Sequence, residues 1–152
     1  PLPVKFVFGA VGPSCFSLED WINLGGDPDL PAAVDPNADY GPMAELFSAM
    51  AGKTITAKSL ATGAYLEQMK EISAAMWIDE HSVPTVCAYG AWDKVQAFGA
   101  SRRLEELLTQ YNVPHEYIVF PHSGHGLQND SALSAVYMEK ITEYLAAYMP
   151  VR

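Results

Sequence analysis

Residues 84–125 constrain this chain more than any other stretch. They read as an apolar strand opening at Pro84-Thr85, then Tyr89-Gly90-Ala91-Trp92-Asp93, an amphipathic helix, a second apolar strand, and Ser123-Gly124-His125-Gly126. An acid follows one strand and a histidine follows the next. Strands that alternate with helices form parallel α/β sheets. Such sheets gather their chemistry at the carboxyl ends of the strands. Both loops therefore open on one edge, where Asp93 and His125 can meet.

The rest of the chain extends this pattern. Residues 4–11 (VKFVFGAV) are almost all apolar and read as a strand buried on both faces. They look like a central strand lacking a neighbour on one side, and an edge of that kind is sticky. Ser17-x-x-Asp20 marks a helix start ahead of Trp21, Ile22 and Leu24. Residues 25–41 are loop, and Pro42 opens a short helix that Gly52 ends. In 53–78, Leu66, Met69, Ile72 and Met76 recur at helical spacing. Residues 83–89 form the second strand. In the helix 101–111, Leu104, Leu107, Leu108 and Tyr111 share one face. Residues 115–120 form the third strand. The helix 133–148 carries an apolar stripe of Leu133, Val136, Tyr137, Ile141, Tyr144, Leu145 and Tyr148.

Composition closes off several classes. The chain has 152 residues, 49% of them hydrophobic and 18% charged, enough for one domain with a core. A net charge of −9, with Arg102-Arg103 the only adjacent basic pair, excludes a nucleic-acid surface. No apolar run reaches the ~18 residues of a membrane span. The chain starts Pro-Leu-Pro, with no Met and no signal-like segment, so an internal start is expected and the compartment is unconstrained. Cys15 and Cys87 lie outside any metal-ligand spacing and read as small buried hydrophobes, with a disulfide left open.

Each candidate has an ordinary alternative. Alone, Asp93 is a turn-capping acid and His125 a surface-loop histidine. Together, with a helix between them, they form an acid–base pair, in which the Asp holds the imidazole tautomer and stabilises the imidazolium. Gly124 and Gly126 are expected to permit the tight backbone that aims the ring. His122-x-x-His125 supplies only two ligands for zinc. Asp35-x-Asn37-x-Asp39 resembles the start of a calcium loop, but its glycine falls at the seventh place and Leu46 at the twelfth. Neither carries a metal site, and no cofactor is implied.

Residues 83–130 resemble the C-terminal part of the α/β-hydrolase superfamily, nearest its esterase/lipase and prolyl-oligopeptidase-like branches. The resemblance rests on Pro84-Thr85, Tyr89-Gly90-Ala91-Trp92-Asp93, Val113-Pro114-His115-Glu116 and Ser123-Gly124-His125-Gly126. Residues 4–13 are similar to the preceding strand. Two departures stand out: Tyr89 replaces a usual His, and Gln96-Ala97 replace a common Val-Pro. The resemblance implies a partial α/β-hydrolase fold of about three parallel strands flanked by helices. Residues 1–152 would be one C-terminal segment, with 14–78 a lid-like insertion and 83–152 the acid–base core. It also implies a serine hydrolase, of carboxylesterase or lipase type, acting on a small ester or acyl substrate through Asp93 and His125.

The nucleophile of such an enzyme sits on a Gly-x-Ser-x-Gly turn. No such turn occurs in the sequence. Ser14 and Cys15 follow the first strand without that context. Loss of the serine removes roughly 10⁶-fold of kcat in a triad enzyme, so the isolated chain is expected to be nearly inert. Its partners would then be the polypeptide bearing the serine, or a second copy joined through the sheet edge. The competing reading is a non-catalytic α/β module that associates through that edge. Trp21, Phe47, Met50 and Trp77 are expected near an acyl pocket.

Overall fold

The computed structural model describes residues 3–30 and 32–150. Its centre is a sheet of three parallel strands in the order β1 (Val7–Ala10), β2 (Thr85–Gly90), β3 (His115–Phe120). Val7 pairs with Thr85, and Thr85 in turn with His115. This is the α/β architecture read from the sequence.

Period-two alternation splits β2 and β3 between two helical layers. On one face Cys87 and Tyr89 join Tyr117, Val119 and Phe98, the first residue of helix α5 (Phe98–Gln110). On the other, Ala88, Ile118 and Phe120 pack with Leu127 and with Leu133 and Tyr137 of helix α6 (Ser131–Tyr148). Leu104 and Leu108 of α5 close a further cluster with Val113 and Ile78.

Between β1 and β2 come α1 (Leu18–Ile22), α2 (Gly41–Ala51), α3 (Ala57–Thr62), α4 (Tyr65–Met69) and two 3₁₀ turns, Lys70–Ile72 and Ala74–Trp77. Local chemistry explains the breaks. Gly52 and Gly63 end α2 and α3 at φ 63° and 75°, a conformation that only glycine adopts without strain. Thr56 and Ser59 form a reciprocal capping box that starts α3. Part of 53–78 is helical, as the spacing of Leu66, Met69, Ile72 and Met76 implies, but of these four only Met69 is buried and the other three are exposed. Ser17 precedes α1 as expected, yet its hydroxyl donates to Glu19 and caps nothing.

These short helices share one large apolar cluster around Phe16, Trp21, Phe47, Tyr65 and Met69. Trp21 stacks on Phe16, and Phe47 meets both rings edge-on. The cluster is fastened to α5: Ala97 and Ala100 pack against it, and the Ser14 hydroxyl donates to the Ala100 carbonyl at 2.9 Å. Tyr65 donates to the Phe16 carbonyl and Trp21 to that of Cys15.

Strand β1 departs from expectation. All four of its residues are exposed, so it is not buried on both faces. The cause is layer width. The helical layers cover β2 and β3 and stop short of β1. The stripe of α6 is likewise half covered: Ile141 is buried while Val136 and Leu145 are exposed. Among the described residues, no helix is long and apolar enough to cross a membrane.

Candidate active site

The loops after β2 and β3 are stitched together backbone to backbone. The Ala91 amide donates to the Phe120 carbonyl at 3.1 Å, and the Trp92 amide to that of Ser123 at 3.0 Å. The Trp92 indole N–H adds a bond to the Pro121 carbonyl at 3.0 Å. Glycine permits this approach. A Cβ at Gly90 would collide with the carbonyl oxygens of Ser123 and Gly124, and one at Gly124 would press on the Trp92 carbonyl. Closeness, not unusual φ, is therefore what Gly124 supplies; the positive φ in this loop falls on Leu127, at 53°.

The stitching brings Asp93 and His125 together. Asp93 is 2% exposed, and its Oδ2 lies 2.9 Å from His125 Nδ1. Its Oδ1 accepts the backbone amides of Val95 and Gln96 at 2.7 and 3.0 Å. These amides belong to the bend between β2 and α5, ahead of the helix, so the loop that carries Asp93 braces its own carboxylate in an Asx-type turn. A carboxylate oxygen that accepts this bond makes Nδ1 the donor, and in the neutral ring that tautomer leaves the lone pair on Nε2. The His125 side chain is 44% exposed, and Nε2 has no hydrogen-bond partner among the described residues.

A second carboxylate builds the loop that carries His125. Asp130 accepts from the ring Nδ1 of His122 at 2.7 Å, from the His122 amide at 3.0 Å and from the Ser123 hydroxyl at 2.6 Å. Ser123 Oγ accepts the Asn129 amide in return, and the Asn129 side chain donates to the His122 carbonyl. Burial pushes the Asp130 carboxyl up, but the hydrogen bonds from Ser123 and His122 outweigh it and hold it below its ordinary 3.8. His122 and His125 thus engage different carboxylates, although the zinc spacing pairs them. In the calcium-like stretch, Asp35 and Asp39 accept the amides of Asn37 and Gly41 as turn caps.

The in-chain nucleophile candidates are occupied elsewhere. Ser14 is buried and bonded to Ala100. Cys15 and Cys87 are free and buried; burial raises the Cys15 thiol and pushes that of Cys87 up to about 12. Both are thiols, not thiolates, at neutral pH. Tyr89 is buried and donates to the Gly12 carbonyl at 3.2 Å, pinning the end of β1 to β2.

The expected acyl pocket does not form. Trp21 and Phe47 are consumed by the core, Met50 packs against it, and Trp77 lies on the surface with Lys70 over its ring. A different apolar cleft of about 470 Å³ opens between Phe16, Leu60, Tyr65 and Met76. A second, of about 320 Å³, runs from Ala91 and Phe98 to Arg102, Arg103 and Asp29.

No protein-family model matches the chain, and no curated protein matches it. Among solved structures the chain is similar to a truncated form of a carbohydrate esterase from gut microbiota, with a TM-score of 0.54 at 17% identity over 91% of this chain. The chain shares its fold with part of that esterase. It spans 43% of the length of the solved protein. At this identity the likeness establishes an esterase-like α/β fold.

Proposed function

We propose that this chain supplies the acid and base of a Ser-Asp-His ester hydrolase, with Asp93 orienting His125 and the nucleophilic serine contributed by polypeptide outside the described residues. The observation that carries this reading is the Asp93–His125 pair. A buried, doubly braced carboxylate fixes one imidazole nitrogen, and the other faces solvent at the carboxyl edge of a parallel sheet. His122 leans on Asp130 in the same way, but within a single loop; His125 and Asp93 come from the loops after two neighbouring parallel strands, where such sheets place their chemistry. The likeness to part of a carbohydrate esterase supports an ester as substrate, and a sugar ester is the first to test.

In the proposed reaction Nε2 takes the serine proton as the serine oxygen attacks the ester carbonyl carbon. The Asp93 carboxylate stabilises the imidazolium so formed. Collapse of the tetrahedral intermediate breaks the bond to the alcohol, which leaves with the proton from Nε2. Water then repeats the sequence on the acyl-serine and restores the enzyme.

A fluorophosphonate probe tests this, with adducts located by intact mass and peptide mapping. The purified chain should carry no label, and the serine-bearing polypeptide should label only while His125 is intact. Label on Ser14 or any other serine of this chain would sink the reading. A full-length or reconstituted enzyme that hydrolyses acetylated sugars equally well as His125→Gln would sink it too. That second result would favour the non-catalytic module, the reading to which the uncovered β1 lends weight.

A further inference from the structure

We infer that β1 and the sheet faces beside it form a docking surface for an α/β polypeptide unit, one that adds a strand next to β1 and a helix over each face. The inference stands independently of the hydrolase reading.

Three observations carry it. The first is the free edge. The amides of Val7 and Val11 donate inward to Pro84 and Ala88, so strand alternation turns the amides of Phe8 and Ala10 outward. Soluble proteins blunt such edges with charge, proline or a bulge. The strand Val7-Phe8-Gly9-Ala10 has none of these.

The second is that exposure extends to both faces. By register Phe8 lies opposite Val86 on the α6 side, and Val7 lies opposite Thr85 on the α5 side. Phe8 is 55% exposed and Val7 45%, whereas Val86 in the neighbouring strand is fully buried. On the α6 side the apolar surface continues through Phe6 to Tyr144, with ring centroids 6.3 Å apart.

These facts select the occupant. A lone peptide strand would satisfy the edge and leave both faces wet. A second copy, pairing β1 with β1 about a dyad, would bring another strand equally bare of helices. Only a strand that arrives with its own helical layers covers all three surfaces. The third observation agrees: the solved esterase that shares this fold is more than twice as long as the part the chain matches.

The test is photocrosslinking of the chain in the cells that encode it, with p-benzoylphenylalanine in place of Phe8 and, as control, of the exposed Trp77. Crosslinked peptides are identified by mass spectrometry, and the crosslinked pair is purified for amide hydrogen exchange. The expected result is a crosslink from position 8, absent from position 77, to sequence outside residues 1–152. In the purified pair, exchange at Phe8 and Ala10 should slow at least about tenfold relative to the chain alone. A crosslink into residues 1–152 of another copy overturns the inference, as does no crosslink, or a crosslink without protection at Phe8 and Ala10. None of these readouts depends on His125, so a His125→Gln chain that crosslinks normally but is inactive separates the two readings.

Discussion

At the scale of single residues, two carboxylates define the candidate site, and only one of them was legible. Asp93 announces itself by following a strand that precedes a helix. Asp130 sits immediately before α6, where sequence reasoning sees an ordinary helix cap. Its side chain makes no bond to that helix and turns back to His122 and Ser123. Only tertiary structure reveals such a reversal. A pH dependence follows. The folded Asp130 carboxyl titrates below its ordinary 3.8, so its ionised form stabilises the fold. That contribution is complete above the unfolded value and is lost as pH falls through the folded one. Asp130→Asn should therefore lower the urea midpoint at pH 7, with the gap to the parent chain narrowing as pH drops below about 4. A gap constant with pH would mean that the charge is irrelevant. Glycine gives a second prediction. Gly90→Ala drives a methyl into the Ser123 and Gly124 carbonyls, backbone atoms that cannot swing away, and should cost about 3 kcal/mol in denaturant unfolding. Gly52→Ala, in open space at φ 63°, should cost only about 1 kcal/mol of backbone strain. Equal costs would contradict the close stitching of the two loops.

Elements were legible where one period ran without interruption. The third strand appears at the residues read from the sequence, and α5 extends the expected helix by three residues at its start. Residues 53–78 were not, because Gly63 and Ser73 cut the pattern into pieces shorter than the stretch over which periodicity can be read. The aromatic residues showed the same limit. Trp21 and Phe47 were placed near a pocket, since sequence does not distinguish a large side chain that lines a cavity from one that fills it. The structure fills it, and substitution should say so. Phe47→Ala empties a fully buried site against Phe16 and Trp21 and should cost about 3–5 kcal/mol. Trp77→Ala, at an exposed turn, should stay within about 1 kcal/mol. Chemical denaturation at unchanged m-value reads both. A near-neutral Phe47→Ala would return that ring to a cavity wall.

For the whole molecule, the sequence of β1 and its environment disagree, and the disagreement is informative. Residues 4–11 have the composition of a strand covered on both faces, yet Val7 and Phe8 are exposed and the stripe of α6 is only half used. The class of the fold was readable because β2 and β3 carry their helices with them in sequence. The width of the sheet was not, because what covers β1 does not follow from β1 itself. Stability should be partitioned accordingly. A lysine at a truly uncovered site keeps its ammonium in water and loses only the packing of the side chain it replaces. Phe8→Lys should therefore cost no more than about 1 kcal/mol in the isolated chain, mostly from its contact with Phe6. The register partner of Ala10 is Ala88, which is fully buried. Ala88→Lys puts a charge between the sheet and α6, and should unfold the chain. The decisive comparison is Phe8→Lys alone against Phe8→Lys in the presence of whatever covers β1. If the strand is docked, the same lysine becomes a buried charge and should weaken the assembly by at least about a hundredfold, about 2.7 kcal/mol. A Phe8→Lys chain that unfolds by itself would show that β1 already has its cover within these residues. A docked assembly indifferent to that lysine would place the partner elsewhere.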